Sequence, residues 1–444
     1  MNKLVLILVI LTASVAVSSS QVYVLPGYEE RIRNYVDSLK IVDTHEHFLD
    51  PELLKQTTFL DFSLLFQQNS YDALISAGMP ATVFRKLYLE PTPVQEKWKI
   101  IEPYWKKSFN TVSNRILKIA INDLYGINDL NSTTVGPLSA KIRQTYSSDW
   151  FSHVLKDRCR IEYVIEDYDY LDPKYDFVKY AKRFSGWLTL RSKFRIDSLA
   201  VMQVEPIYTL EDYVKSVNTA FEAAMKKGMV AIKINVAYKR SLNFEKVPPE
   251  AARKVFRTLI NGNQDLVISS ADAKPLQDYI MFRILDLARK HKMPVAFHTG
   301  IQAGGKNILA NSDPRLLVNL FSEYPDVEFV LFHGSYPFGG ELTTLVRNFT
   351  NVYIDMNWTY SISPAYAERY LHEWLEAVPV SKIMAFGGDQ RCVENTYGNQ
   401  VIARQIISNV LIEKVKTGYF SENEAYKVAR MILYDNAVDF YNLK

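Results

Sequence analysis

The sequence predicts an α/β chain folded as a TIM-type (β/α)8 barrel, with a helical insertion after its first strand. Three observations carry that prediction. From residue 160 onward, short β-type runs alternate with helical patterns, which is the mark of βαβ units and a parallel sheet. With the run near residue 41, eight such strands are found along the chain. The length of 444 residues exceeds an average domain but suits a large barrel, which takes roughly 250 residues and often carries insertions.

The strands, in order, are Ile41 to His47 (IVDTHEH), Ile161 to Glu166 (IEYVIE), Leu199 to Pro206 (LAVMQVEP) and Val230 to Val236 (VAIKINV). They continue with Pro294 to His298 (PVAFH), Val327 to His333 (VEFVLFH), Val352 to Asn357 (VYIDMN) and Ile383 to Asp389 (IMAFGGD). Helical patterns such as 279–291 and 365–377 lie between them. The gap between the first two strands is too long for one crossover. Residues 49–158 are rich in helical patterns, for example 94–107 (VQEKWKIIEPYWKK). The segment leaves from the C-terminal end of strand one, where barrel enzymes work. It is therefore read as a lid, with 21–48 and 159–444 forming the barrel. The tail, 401–442, reads as amphipathic helices.

Lys3, the apolar run Leu4 to Val17 and the small residues Ser18 to Ser20 before Gln21 have the form of a signal peptide over residues 1–20. The run is shorter than the roughly 20 residues that span a bilayer. The chain is thus expected to be exported, periplasmic or extracellular, with no membrane span after cleavage. Net charge is +3 with mixed signs. There is no basic block for nucleic acid, so a small-molecule substrate is expected, and a homo-oligomer remains open. Cys159 precedes one strand and Cys392 follows another. That places them at opposite barrel ends, so both are expected to be free thiols.

Chemistry-bearing residues gather at strand ends. His45 and His47 are two apart on a strand, so both face one side. In VAIKINV the bulky Val230, Ile232, Ile234 and Val236 should meet helices, which turns Ala231, Lys233 and Asn235 into the barrel. A lysine there is costly unless paired or modified. His298 and His333 end strands five and six, each before a glycine-containing loop. Asp389 ends strand eight after two glycines, which let the backbone approach a ligand. Imidazole and carboxylate donors suit Zn2+ and related divalent ions. His153, His291 and His372 lie in helical or connecting segments and fall outside this set.

This order resembles the amidohydrolase superfamily: His-x-His on strand one, then Lys, His, His and Asp on strands four, five, six and eight. The segments AIKINVAYKRSL (231–242), VLFHGSYPFGGEL (330–342), NVYIDMNW (351–358) and SKIMAFGGD (381–389) are similar to the amidohydrolase-related branch. Within it they look closest to the amidohydrolase-like domain of nodulin/glutamine-synthetase-like fusion proteins. The resemblance implies that His45, His47, His298 and Asp389 are metal ligands. It implies that His333 is a further ligand or a transition-state stabiliser. Lys233 matches the place where some members carboxylate a lysine between two metals, while others hold one metal.

The expected activity is hydrolysis of a C–N (amide-type) or ester bond by a metal-activated water, with Zn2+ as the expected metal in one or two ions. Asp389 serves as base, and His333 polarises the carbonyl. Lys233, Tyr336, Trp358 and Arg391 are the expected substrate-binding residues; Glu394 also follows strand eight. The alternatives on the same scaffold are a uronate-type sugar-acid isomerase and a decarboxylase. A binding protein with an inactive site is the non-enzyme alternative.

Overall fold

The computed structural model describes residues 26–57, 59–67, 69–167 and 175–443; the predicted signal segment 1–20 lies outside them. Eight parallel strands pair in sequence order. They are β1 (Ile41–Glu46), β2 (Ile161–Glu166), β3 (Val178–Arg183), β4 (Met229–Ile234), β5 (Val295–Phe297), β6 (Phe329–Leu331), β7 (Val352–Asp355) and β8 (Ile383–Met384). The stretch after β8 bonds back onto β1: Thr44 N donates to Phe386 O, Asp389 N to His45 O and His47 N to Gln390 O, at 3.2, 2.8 and 3.0 Å. These bonds bring the two ends of the sheet together as a barrel.

One strand differs from its expected position. The pattern of residues 199–206 predicts a strand, but Lys193–Gln203 is a helix, capped by Ser192, whose side chain accepts from Arg195 N. Its Ile196 and Leu199 are buried, whereas Val201, Met202 and Val204 are exposed. Exposure of these three made the segment look like a β-run. The third strand is VKYAKR, whose lysines and arginine hide the alternation: Val178 and Tyr180 pack outward with the helices, and Ala181 faces the barrel interior.

Inside the barrel, Val42, Ile165, Ala181, Ala231, Ala296, Val330, Phe332 and Met384 form one cluster. Alternation along β4 follows the expectation, with Ala231 inside and Ile232 and Ile234 in the layer between sheet and helices. The same interior cluster contains Ala437, Val438, Phe440, Tyr441 and Leu443, so the C-terminal segment packs against the barrel's interior residues. Cys159 and Cys392 are buried and unbridged.

Between β1 and β2 the chain forms a succession of helices, including Asn69–Ser76, Ala81–Leu89, Val94–Lys107 and Val112–Tyr125. They share a core of their own built on Phe62, Phe66, Trp98 and Trp105. Buried Lys97 donates to Asp61 at 2.8 Å and holds the turn that opens this core. Helix Val112–Tyr125 crosses the long helix Val393–Lys416 closely. At Gly398 an added Cβ would lie 2.3 Å from the carbonyl oxygen of Ile116.

Gly398→Ala gains about 1 kcal/mol in helix propensity but overpacks this crossing, which typically costs about 1–3 kcal/mol and more against backbone. The clash should win. A urea titration is expected to show a lower midpoint for the variant; a raised midpoint would mean that the helices can separate freely.

Candidate metal centre

The strand ends meet at the floor of a cavity of about 990 Å³, lined among others by His45, His47, Lys233, His298, Trp358 and Asp389. β1 carries His45, His47 follows its last residue directly, and two buried carboxylates beside them hold the loop after β8. Asp43 Oδ1 accepts from Gly388 N at 3.0 Å and from His45 N at 3.3 Å. Glu46 accepts from Gln390 N at 2.5 Å and Thr396 Oγ1 at 2.7 Å. The loop after β8 therefore carries Asp389 to the histidines. Gly388 is required there, because a Cβ would fall 1.9 Å from Glu46 Oε1. Asp389 itself has a left-handed backbone, φ 52°, a conformation that costs a non-glycine residue about 1–3 kcal/mol.

Asp167, one residue past β2, completes the group. Its Oδ1 receives His47 Nδ1 at 2.7 Å and Arg183 NH2 at 2.7 Å. Ligand atoms of His45, His47 and Asp167 lie within 4.8 Å of one another. Asp389 Oδ1 lies 3.2 Å from His47 Nε2 and 3.7 Å from His45 Nε2. Asp167 was not foreseen. It stands just outside the strand in IEYVIED, and its partner Arg183 belongs to β3, which the sequence pattern does not show.

The electrostatics are those of a cation site. Burial, reinforced by Lys233, holds His45 well below the usual histidine range, so its ring is neutral. Burial would lower His47 too, but Asp167 and Asp389 outweigh it and raise the ring to about 9. Burial opposes ionisation of Asp167, yet His47 and Arg183 hold it well below the carboxylate range. Asp389 is likewise held low, by His45 and His47, against its burial. Asp167 Oδ2 is buried without a hydrogen-bond partner among the described residues. Neutral imidazole, two ionised carboxylates and an unsatisfied buried oxygen fit a divalent ion of the N/O-liganded kind.

The other expected residues take different places. Lys233 Nζ sits 3.4 Å from His45 Nε2 and 3.6 Å from the centre of the Phe332 ring. Burial lowers it to about 7, so both amine and ammonium forms are present near neutrality. His298 Nε2 donates to Ile301 O at 2.8 Å, and His298 Nδ1 lies 2.9 Å from His333 Nε2. With both nitrogens engaged, His298 offers no free lone pair to an ion in this conformation. His333 is fully buried behind it and does not line the cavity; its Nδ1 lies 3.8 Å from Asp389 Oδ2. Trp358 and Arg391 line the cavity, but Tyr336 does not. The ring of Tyr336 packs against Tyr366 at 4.8 Å. Glu394 is also absent from the lining: it is buried and accepts from Tyr125 and Trp150 at 2.6 and 3.0 Å.

Known proteins resemble this chain in sequence and in fold. The profile of the family described as Amidohydrolase matches residues 221–443. Over 232 residues, half of this chain, the sequence is 27% identical to Protein fluG of Emericella nidulans. That match covers 26% of the relative, so the chain spans about a quarter of its length. The uronate isomerase of Thermotoga maritima superposes with a TM-score of 0.78 at 15% identity, over 93% of this chain and 97% of that one. The glucuronate isomerase of Caulobacter crescentus gives 0.77 at 16% identity, over 94% of each. At such identities the likeness is one of fold.

Replacing Asp167 tests the group directly. Asp167→Asn keeps the size but removes the charge facing His47. Zinc affinity, read by competition with a chromogenic chelator, is expected to fall at least about tenfold. Unchanged affinity would remove Asp167 from the site.

Proposed function

The chain belongs to the amidohydrolase family, and from that premise we propose that it is a metal-dependent hydrolase cleaving a C–N (amide-type) or ester bond of a small substrate. The observation that carries this reading is the convergence of His45, His47, Asp167 and Asp389 at the cavity floor, with Lys233 beside them. These four residues would hold the ion. A divalent cation bound there, Zn2+ by its donor set, supplies polarisation of a carbonyl and a more acidic water.

The chain's own groups then have defined tasks. Asp389, held ionised, accepts the proton of the attacking water and passes it to the leaving nitrogen or oxygen. Its backbone bond to His45 fixes where that carboxylate stands. His333 acts through others: it supports His298 and lies close to Asp389, which makes it a positioning residue. Lys233 binds a substrate oxygen, and Arg391 at the mouth pairs with a substrate carboxylate. Trp358 packs edge-on against His333 at 5.1 Å and forms part of the wall. The 49–158 segment serves as the lid, a role supported by its contribution of Phe59, Tyr71 and Arg85 to the cavity lining.

A second reading, aldose–ketose isomerisation of a sugar acid, draws on the near full-length fold likeness to two uronate isomerases. The two readings separate in one assay: the zinc-loaded protein is offered N-acyl amino acids and simple esters in one series and hexuronates in another. Release of amine or alcohol supports the hydrolase, and ketose formation alone supports the isomerase.

Two variants follow. Asp389→Asn should lose at least about 100-fold in kcat, the usual scale for removing an acid–base group, with metal still partly bound. Near-normal turnover of the metal-loaded variant would refute the assignment. Lys233→Met should keep one metal per chain while activity drops. If the wild-type protein instead holds two metals and the variant one, and short carboxylic acids restore activity, Lys233 is a carboxylated bridge.

A further inference from the structure

Four aromatic rings of the β1–β2 segment form a continuous chain in the cavity wall. Tyr71 meets Phe84 at 4.3 Å, Phe84 meets Tyr88 at 4.8 Å, and Tyr88 meets Phe59 at 5.1 Å. All four line the cavity that holds His45, His47 and Asp389. Phe84 is buried, but Phe59, Tyr71 and Tyr88 keep partial exposure, so the set has an open side. Tyr88 turns its hydroxyl away, donating to Ser63 O at 2.6 Å; what it offers the cavity is its ring.

This wall is fastened to the opposite rim. Asp72, next to Tyr71, accepts from Gly304 N at 3.1 Å. The neighbouring Ala303 N donates to the Tyr238 hydroxyl at 3.0 Å. The charges around the cavity are unevenly paired. Asp72, Asp167 and Asp389 each have a partner already, and Arg183 is committed to Asp167. Arg85 and Arg391 line the same cavity, are exposed, and have no carboxylate partner among the described residues. The charge of Arg391 acts on the Tyr88 hydroxyl, which puts it near the aromatic wall.

We propose that the cavity is built for a small anion carrying a flat aromatic group, with the ring held against Phe59, Tyr71, Phe84 and Tyr88 and the charge by Arg391 and Arg85. Ring faces and edges give a flat apolar group favourable geometry, whereas with the Tyr88 hydroxyl given to Ser63 the four rings offer a polyhydroxylated chain only the hydroxyl of Tyr71. A guanidinium without a carboxylate partner is suited to a ligand carboxylate. The proposal deepens the hydrolase reading, and only its kinetic arm rests on that reading.

Binding is tested on the zinc-loaded full-length protein by calorimetric titration with phenylacetate, acetate and benzyl alcohol. Phenylacetate is expected to bind at least about tenfold more tightly than acetate, the usual gain from burying a ring of this size, and more tightly than neutral benzyl alcohol. Arg391→Gln should erase the advantage over benzyl alcohol. Tyr71→Leu should shrink the advantage over acetate, with circular dichroism confirming the fold of each variant. Equal affinity for phenylacetate and acetate would overturn the ring assignment, and equal affinity for phenylacetate and benzyl alcohol the charge assignment. In the kinetic arm, kcat/KM for N-benzoylglycine should exceed that for N-acetylglycine at least about tenfold; equal values overturn the proposal. If neither is hydrolysed while phenylacetate keeps its preference, the hydrolase reading fails and the ligand class stands.

Discussion

Asp43 and Glu46, two carboxyl groups with no access to water, bind the end of β1 to the loop that follows β8. Together they take up the N–H groups of His45, Gly388 and Gln390 and the Thr396 hydroxyl. Burial raises Asp43 to about 6. Burial and the neighbouring Asp43 push Glu46 well above the carboxylate range. Two adjacent buried carboxyl groups cannot both ionise cheaply, so they share a proton and act as one hydrogen-bonding unit. Thr44 adds a third tie, donating to Asp355 on β7 at 3.0 Å. Metal-ligand spacing needs fixed side chains, and here the fixing is done by backbone groups bonded to carboxylates.

The charges above that junction follow from it. With Asp389 delivered beside His47, two ionised carboxylates converge on one imidazole. Their mutual repulsion is offset by Arg183 on one side and the ring's own proton on the other. A divalent ion would take over the role of that proton. Lys233, stacked over Phe332, supplies a cation that can give up its charge near neutrality, so it can stand next to a metal without a lasting repulsion.

The barrel could be read from the sequence wherever a strand was apolar and ended in a polar residue, as in IVDTHEH, PVAFH, VEFVLFH and IMAFGGD. It could not be read at β3, where VKYAKR carries three cations: Arg183 lines the cavity, Lys182 is buried over the Trp187 ring and Lys179 is half-buried, while a nearby helix exposes Val201 and Met202. The site was legible to the extent that its residues close strands: His45, His47, Lys233, His298 and Asp389 all reach the cavity. Asp167 was hidden because a lone carboxylate beside Glu166 reads as an ordinary polar loop start, and its partner Arg183 lies on β3, which the sequence pattern does not show. Sequence position alone puts Tyr336 and Glu394 near the substrate; in the fold half-buried Tyr336 packs edge-on against Tyr366, and buried Glu394 accepts from Tyr125 and Trp150. His333 stands in the turn just after β6 and lies one layer deeper, because His298 occupies the surface in front of it.

The C-terminal residues lodged among the barrel's interior side chains tie the centre to the order in which the chain is made. Asp43 and Gly388, which meet at the junction, are 345 residues apart in sequence. Closing so long a loop is slow even though its entropic cost grows only logarithmically. Phe440 and Tyr441 pack against the interior later still. During synthesis, β1 and β2 must therefore wait with His45, His47 and Asp167 until the loop after β8 has emerged. A ribosome that stops before the last strand releases three of the four candidate metal ligands and no closed site, an unfinished sheet whose open edges would favour aggregation over activity.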